Sequence, residues 1–586
     1  MLEFRKTKIV CTLGPSTDSE NILRQIMLEG MNVARINMSH QTREKQKVRV
    51  DLVKKLREEL DLPIALLLDT KGPEIRIGRL KKERIELQSK QKFNLYAKDT
   101  LGDENGVSVS YKDLIKEVKV GNKILIDDGL IELKVENFSQ DAIECRVINS
   151  GVLSSNKSVN IPEVNLSLPF INLKDKRDLK FAIKEGFDFI AASFTRNVND
   201  IRDLKKELHK NNGDHIKIIA KIENSEGLKN IDEILALADG IMVARGDLGV
   251  EIPIEDIPIM QKKLIKKACD VGKHVIVATQ MLDSMINNPR PTRAESTDIA
   301  NAVYDGASAI MLSAETASGK YPIQSVKTMA AIAQKTESYI DYKKNFSKMD
   351  IPIKSTITSA VSYSTCATAH ELNASCIMSA TKTGKTAQAL SKYKPTCPII
   401  AGTANKTVLR QMNLMFGVTP ILIKEKKSVD ELSEHLIHSA YKKNYIKKGE
   451  LIVLTAGIPF GASGSTNFLK VKLVGDVLVS GVGLNNHAAK GSLCVCQSEK
   501  DLKKNFKNGD IIVIYEVSEN VIDLIVNSSG LVVESSGINP QITLAADSYA
   551  KPVIIGANGA TKILKDNTIV TADAGKGLVF SDNRDF

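Results

Sequence analysis

Lys221-Ile222-Glu223-Asn224 closes an apolar run over residues 216–220, and further along Val243-Ala244-Arg245-Gly246-Asp247 closes another over 240–243. Short apolar runs that alternate with amphipathic helical stretches are the pattern of parallel strands in an α/β fold. The two runs therefore deliver a lysine and two carboxylates to the C-terminal ends of neighbouring strands. In a (β/α)8 barrel that rim carries the chemistry. Glu223 and Asp247 are hard oxygen ligands suited to Mg²⁺, and Lys221 is a mobile cation beside them. The trio suits an anionic, phosphate-bearing substrate.

Working outward, eight runs read as barrel strands: 8–12, 32–37, 64–69, 187–193, 217–223, 240–244, 274–280 and 309–313. Helical stretches such as 19–29 and 198–209 separate most of them. The third-to-fourth connection is the exception. About a hundred residues follow Asp69, with turn signals and strand-like runs at 123–126 and 131–135, far longer than a normal loop. This stretch reads as a β-rich domain inserted at the catalytic rim, and the barrel resumes near Pro169. After the eighth strand, 326–342 reads as one long helix. The pattern breaks over 345–355, around Pro352, and a new α/β unit follows with strands at 376–380, 399–402 and 451–455. A last boundary falls near Gly475, before a Gly- and Val-rich stretch of short strands. The expected domains are a barrel (1–70 and 170–343), an inserted β-barrel lid (71–169), an α/β domain (344–474) and a C-terminal domain (475–586).

Composition bounds the function. A chain of 586 residues has room for about three or four domains. No apolar run approaches the length of a membrane span and no signal-peptide pattern opens the chain, so the expectation is a cytoplasmic protein without a membrane partner. The eight cysteines show no paired metal-ligand spacing. Cys494-x-Cys496 reads as two residues of one strand, and a reduced compartment fits. The net charge of +11 raises nucleic acid as a partner. The lysines are scattered among acidic residues, without interleaved aromatics, so the expectation is no nucleic-acid partner.

Other strands end in chemistry-bearing residues at the same rim. The second ends in Arg35-Ile36-Asn37-Met38-Ser39-His40 and the third in Asp69-Thr70-Lys71-Gly72-Pro73-Glu74-Ile75-Arg76. The seventh ends in Ala278-Thr279-Gln280-Met281, and the eighth runs into Ser313-Ala314-Glu315-Thr316. A single such end reads equally well as a solvated loop. Their convergence on one rim reads as a site.

These strings resemble pyruvate kinases of the bacterial type with an extra C-terminal domain. The resemblance rests on Asn32-Val33-Ala34-Arg35-Ile36-Asn37, Leu68-Asp69-Thr70-Lys71-Gly72-Pro73-Glu74-Ile75-Arg76, Lys221-Ile222-Glu223-Asn224, Met242-Val243-Ala244-Arg245-Gly246-Asp247-Leu248-Gly249 and Ala278-Thr279-Gln280-Met281-Leu282, in that order. It covers essentially the whole chain. It implies a TIM (β/α)8 barrel with an inserted β-rich domain, an α/β effector domain and a swivelling phosphohistidine-like domain. It also implies transfer of the phosphoryl group of phosphoenolpyruvate to ADP, giving pyruvate and ATP.

The resemblance assigns roles residue by residue. Glu223 and Asp247 hold Mg²⁺ (or Mn²⁺), Lys221 stabilises the phosphoryl group in flight, and Arg35 holds the phosphate. The backbone amides of Gly246 and Asp247 suit the substrate carboxylate. Thr279 stands where the family places the hydroxyl involved in protonating the enolate; its bland reading is a strand-end hydroxyl. Asn37, Ser39, Asp69 and Thr70 match K⁺ ligands, and Glu74 stands where K⁺-independent members carry lysine. ADP or ATP would meet Asn37, His40, Arg76 and Lys157, although a lone His40 reads equally well as a surface histidine. A homotetramer is implied.

Elsewhere the pattern departs or extends. Gln41, Ser158, Glu163 and Ala314 stand where the family carries glycine, which serves backbone freedom or close approach. Thr381-Lys382-Thr383-Gly384-Lys385-Thr386 reads as a phosphate cradle, and the resemblance implies that it binds a phosphorylated effector through Thr381, Thr383, Gly384, Lys385 and Thr386. The alternative is a helix cap at Thr383. Residues 457–465 match the family's effector-side loop. In the final domain Gln541 falls where a phosphohistidine carrier has its histidine, so no phosphotransfer is expected there. Two other readings stand beside the kinase: another Mg²⁺-dependent phosphoenolpyruvate or pyruvate barrel, an aldolase or lyase, and a catalytically silent metabolite sensor.

Overall fold

The computed structural model describes residues 4–39, 41–349, 356–426, 428–457 and 466–581. They fall into two compact units. One runs up to Ser359 and includes Thr381–Leu422; the other comprises Ala360–Ala380 and the residues from Ile423 onward.

The first unit is built on a closed barrel of eight parallel strands. These are β1 (Lys8–Thr12), β2 (Val33–Asn37), β3 (Ala65–Asp69), β4 (Phe189–Ala192), β5 (Lys217–Ile222), β6 (Gly240–Ala244), β7 (His274–Ala278) and β8 (Ala309–Leu312). All eight expected strands are present, most of them trimmed by a residue or two at their ends. They are legible because both faces are buried, which makes each a near-continuous apolar run. Val10, Val33, Leu67, Phe189, Ile219, Met242, Ile276 and Met311 fill the interior together with Leu414, which comes from the segment beyond the barrel. The alternate residues, among them Ile9, Leu66, Ile190, Ile218 and Val275, pack outward with helix residues such as Leu204, Ile234, Leu264 and Ile299. The core is thus packed solid, and open space is left only at the ends of the strands.

Between β3 and the helix Leu173–Lys184 lies a β-rich insertion. It holds a seven-stranded sheet and a two-stranded one over its own core of residues such as Phe93, Leu95, Ile124 and Leu133. After β8 the structure corrects one expectation. In place of one helix over 326–342 there is Pro322–Glu337, started by a proline in its first turn, and then a separate short helix Tyr342–Ser347. The Asp341 side chain caps that second helix by accepting the Lys344 N–H. A cap of this kind ends one helix and starts another. The parallel strands Ile399–Thr403 and Val418–Leu422 complete this unit. The second of them was not expected, since Pro420 sits inside it.

In the second unit Cys376–Ala380 pairs in parallel with Leu451–Gly457, which pairs antiparallel with Thr466–Leu473. An eight-stranded mixed sheet follows, with a core on each face. Cys494 and Cys496 lie, as expected, on one strand, Ala488–Cys496. None of the eight cysteines is in a disulfide. No helix among the described residues is long and apolar enough to cross a membrane.

Candidate active site

The barrel rim gathers its charges around one buried carboxylate. Asp69, the last residue of β3, is 1% exposed. Its Oδ2 accepts from Arg35 Nε on β2 at 2.7 Å. Its Oδ1 accepts from Lys221 Nζ on β5 at 3.2 Å. Burial alone would raise the Asp69 carboxyl, but the charges of Arg35 and Lys221 hold it below its ordinary value. Burial likewise opposes the charge on Lys221, and Asp69 and Glu223 overrule it, so its pKa is raised. Lys221 is therefore held as a cation near neutral pH. Arg35 is anchored further by Thr12 Oγ1, 2.8 Å from its Nη1.

Glu223 follows β5 and is 1% exposed. Its Oε2 accepts the backbone N–H of Phe194 at 2.6 Å. Its Oε1 lies 2.9 Å from Lys221 Nζ, yet off hydrogen-bonding geometry, so that atom is buried without a hydrogen bond. Asp247 sits in the first turn of the helix Arg245–Glu251, directly after β6. Burial and the negative charge of Glu223 push its carboxyl up to about 7. Glu223 thus disfavours the charged form of Asp247, and a bound cation would favour it. Among the described residues no group of three His, Cys, Asp or Glu side chains forms a metal cluster. Two carboxylates, with remaining positions left to substrate oxygens and water, are the donor set that suits Mg²⁺. The residues fit the ion.

Thr279, just past β7, has a left-handed backbone (φ 69°), as does Gln280 (φ 54°). Non-glycine residues in this region carry strain of the kind found at functional sites. The Thr279 hydroxyl donates to Ala278 O at 2.6 Å and accepts the Gly246 N–H at 2.9 Å. That contact ties the end of β7 to the helix carrying Asp247.

The structure brings the four oxygen-bearing residues of the expected K⁺ set to adjacent strand ends. Asn37 and Asp69 are register partners, and the Asn37 side chain accepts the Ser39 N–H at 2.9 Å. Thr70 Oγ1 accepts the Ser193 N–H at 3.1 Å. On the lid side, Arg76 ion-pairs with Glu74 and donates to Asn156 O at 2.7 Å. Lys157 pairs with Asp127 at 2.8 Å. Arg76, Lys157, Phe194, Arg196 and Asp247 line one cavity of about 300 Å³ between lid and barrel. His40 lies outside the described residues.

Two of the four departures from glycine have a direct structural reading. Gln41 (φ 68°) and Glu163 (φ 65°) both adopt left-handed backbone, so side chains are carried where glycine would be unstrained. Ser158 is a regular strand residue whose hydroxyl reaches Asp128 at 2.8 Å. Ala314 opens a short helix.

Some rim residues escaped the sequence reading. Ser193, past β4, accepts from Lys221 Nζ at 2.8 Å, and its hydroxyl lies 3.0 Å from Asp69 Oδ1. Arg245 donates to Thr279 O at 2.6 Å and pairs with Asp298 at 2.6 Å, which braces the strained turn. The signal for Ser193 was its place at a strand end. Arg245 lay inside a quoted motif, but nothing in sequence joins it to Asp298.

Outside the barrel, Gly384 has left-handed backbone and caps the helix Lys385–Lys392, with its N–H bonded to Thr381 Oγ1 at 3.0 Å. Thr383 and Lys385 are exposed, and Thr386 is buried. Residues 458–465 of the expected effector-side loop lie outside the described residues. In the second unit Gln541 is exposed near the start of the helix Pro540–Ser548. His487 Nε2 meets Asp547 Oδ1 at 3.0 Å. Asp547 is six residues beyond Gln541, about 9 Å along the helix axis.

Comparison with known proteins agrees with this geometry. Residues 4–326 match the family described as pyruvate kinase, barrel domain, and 359–472 match pyruvate kinase, alpha/beta domain. Residues 506–577 match PEP-utilising enzyme, mobile domain. The chain is 44% identical to a pyruvate kinase of Staphylococcus haemolyticus, with 98% of this chain and 99% of that one covered. It is 43% identical to one of Geobacillus stearothermophilus, with 98% of each covered. A crystal structure of a pyruvate kinase from Cryptosporidium parvum superposes with a TM-score of 0.77 at 38% identity, covering 80% of this chain and 96% of that one. The chain belongs to the pyruvate kinase family.

Proposed function

We propose that this enzyme transfers the phosphoryl group of phosphoenolpyruvate to ADP, and that the rim residues divide the work as follows. The observation that carries the reading is the convergence of Arg35, Asp69, Lys221, Glu223, Asp247 and Thr279, from the ends of five barrel strands, beside the lid cavity. Phosphoryl transfer needs positioning and neutralisation of charge more than covalent help. Arg35 and Lys221 both pair with Asp69 and grip the phosphoryl oxygens. The Gly246 and Asp247 amides receive the substrate carboxylate. Glu223 and Asp247 would hold Mg²⁺ or Mn²⁺, which when bound supplies Lewis-acid polarisation and charge neutralisation. Lys221 keeps its proton, so the enolate is protonated elsewhere. Thr279 is the candidate; its own proton is committed to Ala278 O, so delivery runs through side-chain rotation and water.

Asn37, Ser39, Asp69 and Thr70 would hold K⁺. The nucleotide meets Asn37, His40, Arg76 and Lys157, and a second Mg²⁺ accompanies it. The loop bearing Thr381, Thr383, Gly384, Lys385 and Thr386 binds a phosphorylated effector. Its test is the phosphoenolpyruvate saturation curve with sugar phosphates, which a Lys385→Ala, Thr383→Ala variant should no longer shift. We take the domain bounds as 1–70 with 170–343, 71–169, 344–474 and 475–586, the assembly as a homotetramer and the compartment as the cytoplasm. No observation favours an aldolase, a lyase or a silent sensor. A coupled assay of ADP-dependent pyruvate formation tests the reading: pyruvate made from phosphoenolpyruvate only when ADP is present supports it, and a dead wild type refutes it.

A further inference from the structure

The helix Arg245–Glu251 carries more than the metal ligand. Asp247 lies in its first turn and Glu251 at its end, four residues apart and hence on one face. Glu251 Oε1 accepts from the side-chain Nδ2 of Asn160 at 3.2 Å. Asn160 ends the lid strand Ser158–Asn160, next to the Lys157 that faces the nucleotide cavity. Ser225 opens the helix that follows Glu223 and Asn224 and lines the same cavity as Asn160, Asp247 and Glu251. One carboxylate therefore bonds the lid, sits on the helix bearing one metal ligand, and borders the cavity beside the loop that follows the other.

We infer that Glu251 is a positioning residue whose bond to Asn160 latches the lid onto the metal-bearing rim, so that lid closure and the geometry of Glu223 and Asp247 are set together. The inference rests on the kinase reading above. The neighbouring geometry agrees with it. The Asn160 carboxamide is the lid's hydrogen-bond donor to this helix, and a carboxylate acceptor makes the bond a charge-assisted one. Glu251 reaches neither phosphoryl group nor nucleotide in this argument; it acts through the elements it joins.

A double-mutant cycle tests the latch on the full-length enzyme, using Asn160→Ala, Glu251→Ala, the pair, and Glu251→Gln, whose amide oxygen can still accept the Asn160 N–H. Steady-state kinetics with ADP and Mg²⁺ varied are read beside thermal melting and hydrogen exchange of the lid. Loss of one charge-assisted bond predicts that Asn160→Ala raises KM for ADP about tenfold, with unchanged melting and faster exchange around residues 156–164. Adding Asn160→Ala to Glu251→Ala should change KM no further, and Glu251→Gln should stay within about threefold of wild type. Additive effects of the two alanines on KM, or an Asn160→Ala enzyme with wild-type KM and lid exchange, would overturn the latch. If Glu251→Ala does not fold, Asn160→Ala and Glu251→Gln still decide. A wild type that makes no pyruvate defeats the kinase reading itself; an active wild type with additive alanines defeats only the latch.

Discussion

Lys221 Nζ stands 2.9 Å from Glu223 Oε1, an oxygen that no hydrogen bond reaches. The lysine ammonium ion-pairs with that oxygen, and Asp247 adds a second negative charge nearby. A divalent ion on the two carboxylates would offset the repulsion between them.

Removing a metal ligand should therefore be costly. Asp247→Ala is expected to lose several kcal/mol of transition-state stabilisation, on the order of a thousandfold in turnover or more. Binding of Mn²⁺ to the resting protein, followed by its electron paramagnetic resonance signal, should weaken in parallel. Near-wild-type turnover at ordinary Mg²⁺, or unchanged Mn²⁺ binding, would remove the site from this pair.

Glu74 ion-pairs with Arg76 and lies 3.8 Å from Lys71. Activity should depend on K⁺, and Glu74→Lys should weaken that dependence, because an ammonium supplies the missing charge. The same change sets a cation against Arg76 and Lys71, so KM for ADP should rise. Equal wild-type rates in K⁺ buffer and in buffer balanced with a bulky organic cation would refute the K⁺ site.

His274 opens β7 at the far end from the chemistry. Burial, set against the nearby charge of Asp239 and added to by Lys217 and Lys273, lowers it to about 4. Its pKa falls on folding, so the unfolded chain binds the extra proton between the two values. Stability is full above pH 6.5 and declines as pH falls toward 4, by up to about 3 kcal/mol. Melting followed from pH 7.5 to 4.5 should show a shallower acid decline in His274→Gln than in wild type. Parallel curves would contradict the assignment.

The C-terminal domain has a core on each face of its sheet, and Gln541 stands where the resemblance places the histidine of a carrier. An amide cannot become a phosphohistidine. Truncation after residue 474 should leave turnover per folded site within about tenfold, or roughly 1.4 kcal/mol. The intact protein should gain no acid-labile phosphate from phosphoenolpyruvate. A folded truncated enzyme without activity, or phosphate on His487, would count against this.

Much of this was legible in the sequence, for a physical reason. Strands buried on both faces write themselves as uninterrupted apolar runs, so β1 to β8 could be read directly. Their polar C-terminal residues then named the rim. The strand Thr466–Leu473 escaped because most of it is at least partly exposed and shows no such run. The helix break before Tyr342 escaped because its one signal is the capping Asp341. The bracing pairs escaped because Arg245 and Asp298 are 53 residues apart, and Asn160 and Glu251 are 91 apart. Only the closing of the barrel and the lid makes such residues neighbours.

The most direct test of the account is pyruvate formation from phosphoenolpyruvate, measured in a coupled assay on wild type and Lys221→Ala, with ADP, Mg²⁺ and K⁺ each present or withheld. The account predicts pyruvate from wild type only with ADP and Mg²⁺, a marked fall without K⁺, and a loss of at least about a hundredfold in the folded Lys221→Ala enzyme. Wild type that forms no pyruvate under complete conditions, or a Lys221→Ala enzyme of undiminished turnover, would contradict it.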